Sequence, residues 1–93
     1  DLAWIVRGGA DPAAELAKHS ARVVAVHVKD IAPAGQCADE DGWADPGHGT
    51  LDWGRLLPAI KAAGAEYYVV EHDKPNDVKR FATRPRDTGM SWA

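Results

Sequence analysis

Cysteine is nearly missing from this chain. Cys37 is the one thiol in 93 residues, so no internal disulfide can form and a disulfide-stapled secreted scaffold is excluded. Long apolar runs are missing as well. None approaches the roughly 20 residues needed to cross a bilayer, and no basic stretch precedes an apolar one as in a secretory signal. There is no basic excess. Eleven Lys and Arg against fourteen Asp and Glu give a net charge of −3, which argues against a dedicated nucleic-acid binder. Internal repeats and low-complexity tracts are also lacking. With 45% hydrophobic and 27% charged residues, the composition is that of a globular protein, and the length suits one small domain. The expectation is a soluble, cytoplasmic protein without nucleic-acid or membrane partners.

Two β-branched runs stand out: Val23 to Val28, and Tyr67 to Glu71. Both are short and lack sustained polar alternation, so they read as parallel strands covered on both faces. The segments between them read as helices. Asp11 caps a helix that has Pro12 at its first position and runs to about His19. Asp52 caps a second, with Leu56, Leu57, Ile60 and Ala63 on one face, Pro58 inside it and Gly64 as its stop. Asn76 or Asp77 caps a third that passes through Phe81. The opening residues, Asp1 to Trp4, read as the end of a preceding element. The repeated strand–helix order predicts an α/β fold with a parallel sheet. The long stretch from Ile31 to Thr50, rich in Gly, Pro, Asp and Ala, follows a strand's C-terminal end, where α/β enzymes keep their function.

Strand parity locates the chemistry. Val24, Val26 and Val28 share one face, and Val23, Ala25, His27 and Lys29 the other. Tyr67, Val69, Glu71 and Asp73 likewise share a face, opposite Tyr68, Val70 and His72. Each strand turns polar only at its C-terminal end, the layout of a barrel with packed layers below and chemistry at the mouth. With Asp1 at the end of a preceding strand, Asp1, His27 and Glu71 converge. One imidazole and two carboxylates suit Mn²⁺, Mg²⁺, Co²⁺ or Zn²⁺ rather than a thiolate-seeking metal.

The segments Asp1-Leu2-Ala3-Trp4, Gly9-Ala10-Asp11-Pro12, His27-Val28-Lys29-Asp30, Gly47-His48-Gly49-Thr50-Leu51-Asp52-Trp53 and Tyr67 to Asp73 follow one another in an order and spacing that resembles the later part of the sugar phosphate isomerase/epimerase family, the xylose-isomerase-like TIM barrels. The resemblance covers about the first 80 residues. It implies that residues 1–93 are a single partial domain, the C-terminal part of a (β/α)₈ barrel from about the end of strand six to helix eight. A whole barrel takes about 250 residues, so the chain is expected to be a piece of a longer protein. The resemblance further implies a divalent metal held by Asp1, His27 and Glu71, with a first ligand Glu upstream that has no counterpart here. It implies Glu71 as a catalytic acid/base, Lys29 on a substrate oxygen and Trp4 as an apolar wall for the sugar ring. The implied activity is metal-dependent isomerisation or epimerisation of a sugar, sugar phosphate or cyclitol, by proton transfer next to a polarised carbonyl. Many epimerases carry His where this chain has Trp4, a departure that removes support for ketose 3-epimerase specificity. Two alternatives stand beside this activity. One is a keto-inositol dehydratase of the same fold. The other is an inactive segment that associates with another chain, with a homo-oligomer as one form.

The remaining residues read as structure. Lys29 and Asp30 form an ion pair at a loop start, unless Lys29 contacts substrate. His72 and Asp73 belong to the loop after the second strand, and His48 to the long loop. His19 ends a helix, where it favours the dipole. Trp43 and Trp53 pack, and Cys37 is inert. The tail from Thr83 to Ala93 has no assignment.

Overall fold

The computed structural model describes residues 1–84. Residues 85–93, most of the unassigned tail, lie outside the described residues. Helix α1, Leu2–Arg7, is capped by Asp1, whose side chain accepts from the Trp4 N–H. Leu2 to Trp4 therefore open a helix rather than end an element. Helix α2, Pro12–Lys18, starts at the Asp11-Pro12 signal and ends at His19. Strand β1, Ala25–Val28, is two residues shorter than the apolar run. Helix α3, Trp53–Ala62, is capped by Asp52 and runs through Pro58. Gly64 follows it at φ +87°, a left-handed conformation that only glycine adopts without strain. Strand β4, Tyr67–Val70, precedes helix α4, Val78–Thr83, which Asp77 caps.

β1 and β4 pair in parallel, with His27 opposite Val69 and Val28 opposite Val70. The long segment after β1 is not plain loop. It holds an antiparallel ribbon of β2, Asp30–Ile31, and β3, Trp43–Ala44, around a short 3₁₀ turn, Ala38–Glu40. Two-residue strands carry no periodicity, so this ribbon leaves no pattern in the sequence.

The core forms where α2 and α3 pack on each other and α1 packs on α2 and β1. It joins Leu2, Leu16, Val26, Val28, Trp53, Leu56, Leu57, Ile60 and Ala63. The leucine and isoleucine spacing of α3 puts one stripe of that helix into the core, as its pattern predicts. Two expectations fail. Only one strand face is covered: Val26 and Val28 are buried, while Ala25, His27, Tyr67 and Val69 on the other face are exposed. Val24 is exposed and Val23 packs on the core, because the strand starts only at Ala25 and its alternation does not extend back to them.

Candidate metal centre

Three elements deliver the expected ligands to one end of the sheet. His27 stands one residue before the end of β1, facing away from the core. The Glu71 N–H donates to the Val28 carbonyl at 3.0 Å, one rung beyond β4. Glu71 thus keeps the facing of Val69, the register partner of His27. Asp1 divides its carboxylate: Oδ1 accepts from the Trp4 N–H at 3.1 Å, and Oδ2 turns to the site. One ligand atom from each of Asp1, His27 and Glu71 lies within 4.8 Å of the others. His27 Nδ1 is 2.9 Å from Glu71 Oε2 and 3.9 Å from Asp1 Oδ2.

The residues fit a divalent cation on one further observation. Glu71 Oε2 is buried with no hydrogen-bond partner, so its approach to the imidazole is close but not aligned as a hydrogen bond. A buried, unsatisfied carboxylate oxygen is costly, and a cation held with the imidazole and the second carboxylate removes that cost. Hard oxygen and borderline nitrogen donors select Mn²⁺, Mg²⁺, Co²⁺ or Zn²⁺.

Lys29 lies beneath this group. Its ammonium is buried, 2.8 Å from Asp1 Oδ2, 2.9 Å from both Asp73 oxygens and 3.4 Å from Glu71 Oε2. Its expected ion pair with Asp30 does not form. Asp30 is buried and accepts instead from the N–H groups of Ile31, Gly47, Gly49 and Leu51 and from Trp53 Nε1. Lys29 and Asp30 are neighbours pointing opposite ways, one into the site and one into the loop.

Trp4 is half-exposed beside the site, its ring edge-on to buried Trp43 at 4.9 Å. The Arg7 guanidinium covers Trp43 at 3.5 Å from the ring centre, and Lys29 lies 5.5 Å from the Trp4 ring. Trp43 packs, as expected. Trp53 packs too, and adds a hydrogen bond to Asp30.

A second polar cluster escaped the sequence reading. Arg80 on α4 donates to Asp45 and Glu40, both buried, and Glu40 also accepts from the Asn76 N–H. Hydrogen bonds to Asp45 and Glu40 raise the Arg80 guanidinium above its ordinary value. Burial pushes the Glu40 carboxyl up, but Arg80, the Asn76 N–H and His72 outweigh it and hold it below its usual range. His72 is buried, accepts from the Lys74 N–H and meets Phe81 edge-on. Burial pushes its imidazole below its ordinary value. The cluster fastens α4 to the long segment. Its members come from distant parts of the chain, and no spacing rule links them. Asp73 was more legible, since alternation already put it on the face of Glu71.

His48 stays in the long segment, with Nε2 3.1 Å from the Arg84 carbonyl. Cys37 lies at φ 53° before the 3₁₀ turn, and burial pushes its thiol up, away from the reactive thiolate. No helix among the described residues is long and apolar enough to cross a membrane. No protein-family model matches the chain, and the search of curated proteins finds no match.

Proposed function

We propose that the chain carries the metal-binding end of a TIM-barrel isomerase or epimerase that acts on a sugar, sugar phosphate or cyclitol in the cytoplasm. The observation that supports this reading is the convergence of Asp1, His27 and Glu71 around a buried, unsatisfied Glu71 oxygen. Asp1, His27 and Glu71 would hold a divalent ion, and the reading assigns a fourth ligand, a Glu, to residues upstream of Asp1. Such an ion, when bound, polarises the substrate carbonyl and stabilises the enediolate. Glu71 takes the proton from the carbon next to the carbonyl, and the C–H electron pair moves into the enediolate. Returning the proton to the neighbouring carbon, while the hydroxyl proton there passes to the former carbonyl oxygen, isomerises; a proton given to the same carbon from the other face by the upstream Glu, with Glu71 keeping the one it took, epimerises. Trp4 offers its exposed ring to the apolar face of the sugar. A dehydratase would use the same residues to expel a β-hydroxyl from the enediolate.

The test uses a protein that carries this chain together with the upstream barrel residues the reading requires. It is incubated in D₂O with keto sugars, keto-cyclitols and Mn²⁺, and the substrates are followed by mass spectrometry. Deuterium entering next to the carbonyl, dependent on the ion and lost in Glu71→Gln, is the expected result. No exchange with any substrate contradicts the reading.

A second reading, association with another chain, is favoured by the uncovered sheet face. Tyr67 and Val69 are 61% and 42% exposed there, and both strands are edges of a two-stranded sheet.

A further inference from the structure

We propose that Lys29 is the internal counter-ion of the metal centre. On this view it assembles Asp1 and Glu71 in the absence of metal, lowers the affinity of the finished site, and does not contact substrate. The inference rests on the metal reading above and goes beyond it.

The ammonium is buried, with 2% of the side chain exposed. An ammonium has three N–H donors and no acceptor. Asp1 Oδ2 at 2.8 Å, Asp73 at 2.9 Å and Glu71 Oε2 at 3.4 Å surround it with as many carboxylates as it has donors. Glu71 Oε2 is not aligned to accept from it and adds charge rather than a hydrogen bond. Burial of the ammonium, rather than a full set of acceptors, keeps it from a sugar hydroxyl. Two of those three carboxylates belong to the ligand group. Without a counter-charge their like charges would push the ligand oxygens apart, so Lys29 lets the site fold ready-made. The same charge acts against a dication that takes the same oxygens. Repulsion between a fixed unit charge and a neighbouring dication is worth about tenfold in affinity even with water-like screening. Asp73 is not in the ligand group, and its carboxylate draws the ammonium partly away from Asp1 and Glu71. Asp73 thus offsets the cost that Lys29 imposes on metal binding.

Mn²⁺ binding by the 93-residue chain, followed through the electron paramagnetic resonance of the free ion, tests this together with the thermal midpoint. Lys29→Met should lower the metal-free midpoint yet tighten Mn²⁺ binding about tenfold, and Lys29→Arg, which keeps the charge, should restore wild-type affinity. A merely structural lysine would lower the midpoint and leave the affinity unchanged or weaker, and either result overturns the proposal. Asp73 is about one-third exposed, so Asp73→Asn should fold even where Lys29→Met does not. It should weaken Mn²⁺ binding several-fold in the wild-type background and much less beside Lys29→Met, a coupling that a double-mutant cycle reads. Unchanged binding in Asp73→Asn overturns the proposal. Wild-type chain that binds Mn²⁺ while Lys29→Met fails to tighten it sinks the counter-ion role alone. Wild-type chain that binds no Mn²⁺ sinks the metal reading with it.

Discussion

At the scale of single residues, the carboxylates of Asp1, Asp30 and Glu40 each have defined donors, while one buried oxygen of Glu71 has none. Asp1 serves a helix cap with one oxygen and the site with the other. Asp30 satisfies the long segment and Trp53. Glu40 accepts from Arg80 and Asn76. Because Glu40 is held below its ordinary value of 4.5, the unfolded chain takes up that proton first on acidification. The Glu40 contribution to stability is therefore fully present above pH 4.5 and disappears as the pH falls through its lower folded value. Urea denaturation across pH 3 to 7 (about the range in which carboxylates titrate) should show Glu40→Gln less stable than wild type at neutral pH, with the gap closing below 4.5. A gap that stays constant with pH contradicts the assignment. The shared facing of His27 and Glu71 was legible because strand alternation carries the facing of a side chain; Asp1 was expected there as the end of a preceding strand, whereas it reaches the site as the cap of α1. The partners of Lys29 and Asp30 were not legible. Alternation says that neighbours face opposite ways, but not what waits on either side.

At the scale of elements, the boundaries of α2, α3 and α4 were legible, while α1 and the long segment were not. Asp11-Pro12, Asp52, Asp77 and Gly64 act through local backbone chemistry, and each marks the boundary its residue type predicts. The β2–β3 ribbon depends on distant partners: Asp30 inside it, and Arg7 stacked on Trp43 from α1. The Gly47-His48-Gly49 motif gains a physical meaning here. A Cβ on Gly49 would stand 2.4 Å from Asp30 Oδ1 and 2.5 Å from the Ile31 carbonyl, both held in place. Gly49→Ala should therefore cost about 2–4 kcal/mol by chemical denaturation, since it breaks a buried carboxylate's hydrogen bonds. A loss within about 0.5 kcal/mol, as for an ordinary surface site, would contradict this account of the loop.

At the scale of the whole molecule, one face of the sheet packs on the core, while Ala25, Tyr67 and Val69 on the other have no core against them among the described residues. Tyr67 and Val69 present apolar surface beside two unpaired strand edges, the pattern that invites further strands or another chain. Sedimentation velocity should show the chain self-associating as its concentration rises, and Val69→Lys, which puts a charge on that face, should shift it toward monomer. A wild-type chain that stays monomeric throughout would contradict the prediction. The parallel pairing of the two runs was legible from their β-branched composition and the helix between them. The uncovered face was not, because the same composition describes a strand buried on both sides.

The central claim is that Asp1, His27 and Glu71 form a divalent-metal site. Isothermal titration of the chain with Mn²⁺, beside His27→Ala, tests it most directly. His27 is exposed and outside the core, so its removal should leave the fold intact. The account predicts one ion per chain, bound at least about a hundredfold more weakly in the variant, a larger loss than the 10–100-fold typical of outer-shell partners. Equal binding by the two proteins, or none by the wild type, would contradict it.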